Sequence, residues 1–334
     1  MPVVSMPVAT PRRGVRSWWF DDPADLPGRL PASTAGVLEV AERIASGSEV
    51  RDLGGHFSLN LHLREPGLVL RVHQPFVSRQ RLLGLQAVRR HLASVGVQVA
   101  VAIPWEGKTV FRCADRWAEL EPYIPHEAAT PSADACTAVL SDLGTIDRHL
   151  ATFTGQLTRP VIATWATGSA LRRWLAATRD AVAADRDASH LVEQLVAQSR
   201  TVARRWVPAR DLVCQVIHGD GKANNLPRTG AGELVALDFG FAARRPRVHD
   251  LAYSLNWAIA VLGPTATDQI PVWIKTFEAG TGSRLTSAEL RALPVLGAAI
   301  ALYRPAVSGY NPDPVNDLMN QTGSLQKAAW WLDQ

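Results

Sequence analysis

The chain has 334 residues, enough for two domains or one large two-lobed unit. Hydrophobic residues make up 47% and charged residues 20%, so a sizeable core is expected and global disorder is excluded. Thirty-five basic against thirty-one acidic residues give +4, and only four of the basic residues are lysines. The small excess is scattered without a basic run, which argues against nucleic acid as a partner and against a polycationic ligand. Cys113, Cys136 and Cys214 form no CxxC motif and no disulfide framework. The opening sixteen residues place their arginines after the apolar ones, the wrong order for a secretory signal. No run approaches the ~18 apolar residues of a membrane span. The expectation is a cytoplasmic protein with no membrane partner, either monomer or homodimer.

In chain order, residues 1–30 are rich in Pro and Arg and read as a loose tail, with Trp18, Trp19 and Phe20 as its anchor. A helix is predicted over 35–45. From position 50 the period falls to two: 58–63 and 68–73 form a hairpin around Glu65-Pro66-Gly67. Leu82, Leu85, Val88, Leu92 and Val95 predict a helix over 78–95, ended by Gly96. Strands follow over 97–103 and 109–113. After Pro131 the texture is helical, with helices predicted over 132–154, 166–184, 187–206, 248–262, 267–279, 286–304 and 314–333. Only 212–217 and 233–237 read as strands in this half, and they flank the most informative loop.

That loop is His218-Gly219-Asp220-Gly221-Lys222-Ala223-Asn224-Asn225, followed by Leu237-Asp238-Phe239-Gly240. Phosphoryl transfer from a nucleotide needs a group that orients the acceptor hydroxyl and receives its proton. It also needs oxygen ligands for magnesium and cations that balance phosphate charge. Asp220 and Asn225 share one tight loop, and Asp238 follows a short strand. One carboxylate can face the acceptor while an amide and a second carboxylate hold the metal, with Lys222 reaching the transferred phosphate.

The order His-x-Asp-x-Lys-x-x-Asn, then Asp-Phe-Gly, resembles the catalytic and metal loops of protein kinases. The His-Gly-Asp form is most similar to the aminoglycoside phosphotransferase and homoserine-kinase-like superfamily of small-molecule kinases. The resemblance implies an α+β, protein-kinase-like two-lobed fold. The tail of 1–30 would precede a nucleotide-binding sheet lobe over 31–120, a hinge over 121–126 and a helical lobe over 127–334. It implies Asp220 as catalytic base, His218 as the residue ordering the loop, Asn225 and Asp238 as Mg2+ ligands, and Asp250 as a brace of the loop backbone. Gly54, Gly55 and Ser58, before the first hairpin strand, would cover the phosphates of ATP or GTP, since glycines allow backbone N–H groups to approach them. Arg71 stands where this fold carries its phosphate-contacting cation and brings a planar fork to it. The Pro122 carbonyl and the Ile124 amide would meet the base, and His126 replaces the usual hinge glycine.

One departure stands out. The helix after the Arg71 strand should supply a glutamate for that cation, yet residues 76–103 contain no Asp or Glu, and Gln86 holds the slot. Gln86 can accept one hydrogen bond from Arg71 but forms no ion pair. This keeps open a nucleotide-binding pseudokinase beside an active enzyme.

The acceptor pocket falls to the helical lobe. The first 120 residues carry fifteen basic and eleven acidic residues, leaving twenty of each beyond, a neutral balance that suits a neutral or mildly polar acceptor. Trp257, Trp273, Trp330 and Trp331 either stack on a substrate ring or pack in the core, and Tyr303 and Arg304 are further candidates. The leading expectation is a kinase of a small-molecule hydroxyl, such as an antibiotic or related natural product. The alternatives are a kinase of homoserine, choline or a sugar, and a protein Ser/Thr kinase of the same fold.

Overall fold

The computed structural model describes residues 29–55, 58–127, 130–160 and 165–334. The tail predicted over 1–30, with Trp18, Trp19 and Phe20, lies outside the described residues except for its last two, as do His56 and Phe57 of the glycine segment.

The N-terminal lobe is a five-stranded antiparallel sheet in the order β1-β2-β3-β6-β5. Its strands are β1 (Val50–Asp52), β2 (Leu59–Leu63), β3 (Leu68–Val72), β5 (Phe111–Cys113) and β6 (Arg116–Pro122). In β2 the odd positions are apolar: Leu59, Leu61 and Leu63 are fully buried with Val37, Val40 and Ala41 of α1 (Ala35–Ile44). One face of the sheet is thereby closed by a helix. The other face carries the alternate residues, and the register sets Asn60 opposite Arg71 and Arg71 opposite Glu119. Polar and charged side chains therefore line the inner face, which fronts the helical lobe.

Helix α2 (Arg79–Ser94) starts at Ser78, whose hydroxyl accepts from the Arg81 N–H, and ends before Gly96 at φ +86°. Its leucines join the larger core of the second lobe rather than the core of the sheet. The run predicted as a strand over 97–103 is reduced to β4 (Gln98–Val99), paired in parallel with β8 (Val235–Ala236). This pairing ties the sheet lobe to the strand just before Asp238.

The helical lobe holds α3 (Ala133–Leu150), α4 (Gly168–Ala181), α5 (Arg186–Arg205), α6 (Arg247–Leu262), α7 (Ile270–Thr281) and α8 (Ser287–Ala306). The helix predicted over 314–333 is two, α9 (Pro314–Met319) and α10 (Thr322–Leu332), broken at Asn320 and Gln321. β7 (Cys214–Ile217) pairs with β9 (Ala243–Pro246), a strand the sequence pattern does not reveal, and the loop between them carries the chemistry. The stretch Ser287–Tyr310 is long and apolar enough to cross a membrane, contrary to expectation. Two thirds of its most apolar 18-residue window is buried within the protein, the pattern of a core helix.

Candidate active site

A cavity of about 430 Å3 lies between the lobes. Ser58, Arg71, Asp220, Lys222, Asn225 and Asp238 all line it, although they come from four separate stretches of chain.

The catalytic-type loop is pinned from beneath. Asp250, fully buried near the start of α6, accepts the His218 and Gly219 N–H groups, each at 2.7 Å. His218 Nε2 donates to the Leu237 carbonyl at 2.8 Å, and Nδ1 accepts the Asp220 N–H at 3.3 Å. Those two bonds select the neutral Nε2–H tautomer and join the loop to the strand before Asp238. Gly219 has φ +84°, and an added Cβ would lie 2.6 Å from the Phe241 carbonyl oxygen. Only glycine fits there.

Asp220 is 2% exposed. Its Oδ2 accepts from Lys222 Nζ at 2.8 Å and from Asn225 Nδ2 at 2.7 Å, while Oδ1 has no hydrogen-bond partner. Because Asn225 uses its nitrogen on Asp220, its amide oxygen is left as an acceptor. Asp238 is exposed to the cavity in a left-handed conformation at φ +53°, with one carboxylate oxygen turned to the Gly240 N–H at 3.2 Å. The site thus offers hard oxygen donors from Asn225 and Asp238, the donor set Mg2+ takes when substrate phosphates supply the rest. Among the described residues no group of three His, Cys, Asp or Glu side chains could hold a metal ion.

The partner of Arg71 comes from β6, not from α2. Glu121 Oε2 lies 3.4 Å from Arg71 Nη2, and Glu121 and Glu119 both pair with Arg89 of α2. His73 Nε2 meets Glu119 at 3.0 Å. The charge pattern is therefore reversed relative to expectation: the helix gives the cation and the strand gives the acids. Burial opposes ionisation of Glu119, but Arg89, His73 and Arg71 hold its carboxyl well below the usual range. Gln86 does not bond to Arg71; its Nε2 donates to Glu119 at 3.0 Å and to the Thr109 carbonyl at 2.9 Å. Sequence reasoning passed over Arg89, Glu119 and Glu121; period two across Glu119, Leu120 and Glu121 is the signal that could have found them.

Gly55 and Ser58 line the cavity, and the Gly54 carbonyl accepts from Asn60 Nδ2 at 2.8 Å. Gly54, Pro122 and Ile124 lie outside the lining, which stops along β6 at Glu121. His126 Nδ1 engages the Ile124 carbonyl at 2.7 Å. The three substrate candidates, Trp257, Tyr303 and Arg304, do not line this cavity. Trp257 is half-buried against the helical core, Tyr303 meets Trp174 edge-on at 5.6 Å, and Arg304 is exposed, 3.9 Å from Asp317. Trp273 and Trp331 are buried in that core and Trp330 packs against it. Tyr253, three residues past Asp250, is a site neighbour that was missed: burial and the Asp220 carboxylate push its phenol up, so it stays protonated beside Asp220.

A protein-kinase-like fold with these loops defines a phosphotransferase whose acceptor is a small-molecule hydroxyl. Residues 50–291 match the phosphotransferase enzyme family, and the chain belongs to it. No curated protein matches the chain in sequence. Among solved structures, a microcompartment-associated aminopropanol kinase superposes with a TM-score of 0.67 at 17% identity, covering 89% of this chain and 98% of that one. An amicoumacin kinase in complex with AMP-PNP, Ca2+ and Ami gives 0.65 at 14% identity, covering 86% and 92%. An aminoglycoside phosphotransferase from Alicyclobacillus acidocaldarius gives 0.62 at 14% identity, covering 91% and 95%. At these identities the likeness is one of fold.

Proposed function

We propose that this chain is a cytoplasmic, Mg2+-dependent kinase that transfers the γ-phosphoryl group of ATP or GTP to a hydroxyl of an antibiotic or related natural product. One observation carries the reading: Asp220, oriented through Oδ2 and with no hydrogen-bond partner at Oδ1, shares one cavity with Asp238, Asn225 and Arg71. The structural likeness to an amicoumacin kinase and an aminoglycoside phosphotransferase supports the choice of acceptor.

Asp220 Oδ1 accepts the substrate hydroxyl and takes its proton as the new O–P bond forms and the bond from the γ-phosphorus to the bridging oxygen breaks, releasing ADP or GDP. Lys222 and Asn225 hold the other oxygen, so the carboxylate needs no reorganisation at that moment. Arg71 and Lys222 offset charge on the phosphates, and Glu121 sets the direction of Arg71. Magnesium, held by Asn225 and Asp238, would neutralise charge on the phosphate oxygens. The ion pair with Glu121 answers the missing acid on α2 and favours the active enzyme over the pseudokinase.

The test is phosphate transfer from ATP and from GTP to pooled hydroxylated antibiotics and metabolites, read by mass spectrometry. Asp220→Ala should lower turnover about 10²–10⁴-fold, the usual worth of a positioned base, with nucleotide affinity nearly intact. Undiminished turnover in that variant would remove Asp220 from its role.

A further inference from the structure

The arginines that are buried or half-buried beside the two lobes' inner surfaces differ in their partners. Arg71 and Arg89 face Glu119 and Glu121, and Arg247 forms a two-pronged pair with Glu289. Arg81 and Arg245 differ: neither has a carboxylate partner among the described residues.

Arg81 is 6% exposed at the first turn of α2 and lines the cavity that holds Asp220 and Asp238. All its side-chain bonds go to neutral carbonyls: Thr158, Gly240 at 3.0 Å and Ala242 at 2.5 Å. These bonds fix the guanidinium but do not neutralise it. Arg159, next to Thr158, lines the same cavity. Arg245 of β9, three residues beyond Ala242, lies over the Trp165 ring at 5.2 Å, and its buried Nη1 has no hydrogen-bond partner. The Thr158 hydroxyl is also buried without a partner. Three cations and two unused polar atoms therefore meet where α2, the α3–α4 connection and β9 converge.

A buried cation without a counter-charge is costly, and neighbouring guanidinium groups repel one another. Burial and then Arg245 pull Arg81 down to about 9, and burial and then Arg159 pull Arg245 down to about 10. An oxyanion would relieve the repulsion and satisfy the unused donor. Arginine suits that role, because its planar fork matches the two oxygens of a carboxylate or phosphate.

The geometry points to an oxyanion-binding subsite formed by Arg81, Arg159 and Arg245, adjoining the catalytic cavity, that takes a phosphate or carboxylate group. The group belongs either to the acceptor or to free phosphate. Assigning it to an acceptor rests on the kinase reading; the subsite itself does not.

The test titrates inorganic phosphate into the full chain with Mg·ADP saturating, so that the nucleotide site is filled, at constant ionic strength in chloride. Phosphate should raise the melting temperature of the wild type. Arg245→Gln should weaken phosphate binding about tenfold or more, the loss of a charge-assisted hydrogen bond, with Mg·ADP affinity unchanged. Arg159→Gln should act in the same direction, and Arg245→Lys should restore part of the binding. Turnover then separates the sources. If the acceptor carries the group, phosphate competes with it and Arg245→Gln raises the KM of an acidic acceptor above that of its neutral analogue. If free phosphate is the ligand, it changes turnover of neutral acceptors without competing. A wild-type response no greater than that to chloride, or a response in both glutamine variants equal to that of the wild type, overturns the subsite. Absence of turnover with every acceptor would sink the kinase reading, and the phosphate titration would still decide the subsite.

Discussion

Replacing Arg89 by Leu isolates the reversed charge network. Arg89 is 7% exposed and pairs with both Glu119 and Glu121, each 2% exposed. Leucine removes the cation and leaves two buried carboxylates to share Arg71, His73 and Gln86. Breaking a buried ion pair by deleting one partner costs about 3–5 kcal/mol, whereas an exposed pair is worth about 0–1 kcal/mol. With an unfolding entropy of about 2.1 cal/mol/K per residue, 334 residues give about 0.7 kcal/mol/K, so the melting temperature should fall by ~4–7 °C. The pH dependence carries the sign. In the wild type the Glu119 carboxyl sits well below its ordinary value of 4.5, so its stabilisation is present above that value and is lost only far below it. Without Arg89, burial dominates and Glu119 takes up a proton sooner. The deficit of the variant should therefore be full at pH 7 and shrink as pH falls through about 4.5. Thermal scans of both proteins from pH 4 to pH 8 measure it. A deficit under about 1 kcal/mol, or one that grows as pH falls, would refute the buried network. The Michaelis constant for nucleotide should rise as well, because Glu121 loses the cation that sets it against Arg71.

Asp238→Ala should raise the Mg2+ and nucleotide concentrations needed for half-maximal activity; an unchanged magnesium titration would count against Asp238 as a ligand. Asp147 of α3 lies fully buried against Asp250; burial and then that neighbour push its carboxyl well up, so it holds the proton while Asp250 accepts the loop amides. A raised carboxyl contributes stability that is complete below its unfolded value of 3.8 and is lost as pH climbs through the folded value. Asp147→Asn, a permanent donor, should flatten melting temperature against pH between 4 and 9 and exceed the wild type at the alkaline end; parallel profiles would exclude the shared proton. Gly219→Ala must clear the Phe241 carbonyl and adopt a positive φ, so it should lose on the order of 1–3 kcal/mol of stability together with most turnover, and a calorimetric scan matching the wild type would contradict the strain.

How much of this was legible in the sequence follows from how local each feature is. His218, Asp220, Asn225 and Asp238 lie within twenty-one positions, and the loop that joins them is held by bonds among its own residues and Asp250, so spacing alone located it. The Glu119–Glu121 network could not be located that way. Its members stand 30 to 50 positions apart, and an alternating strand that buries its acids looks like a solvated edge until its partners are known. The same cause hid β6, whose inner face is polar because it fronts the cavity. Trp257, Tyr303 and Arg304 share a lobe with Asp220 but do not line its cavity, a separation that lobe membership alone does not reveal. The reversed pair carries a physical consequence. A glutamate on a mobile helix can leave its cation when the helix swings, but Glu121 sits in β6, hydrogen-bonded along β3, the strand that carries Arg71. Arg71 and its acid therefore move as one sheet, and α2 is tied to that sheet through Arg89. Orientation of Arg71 in this chain is set by sheet register rather than by helix position.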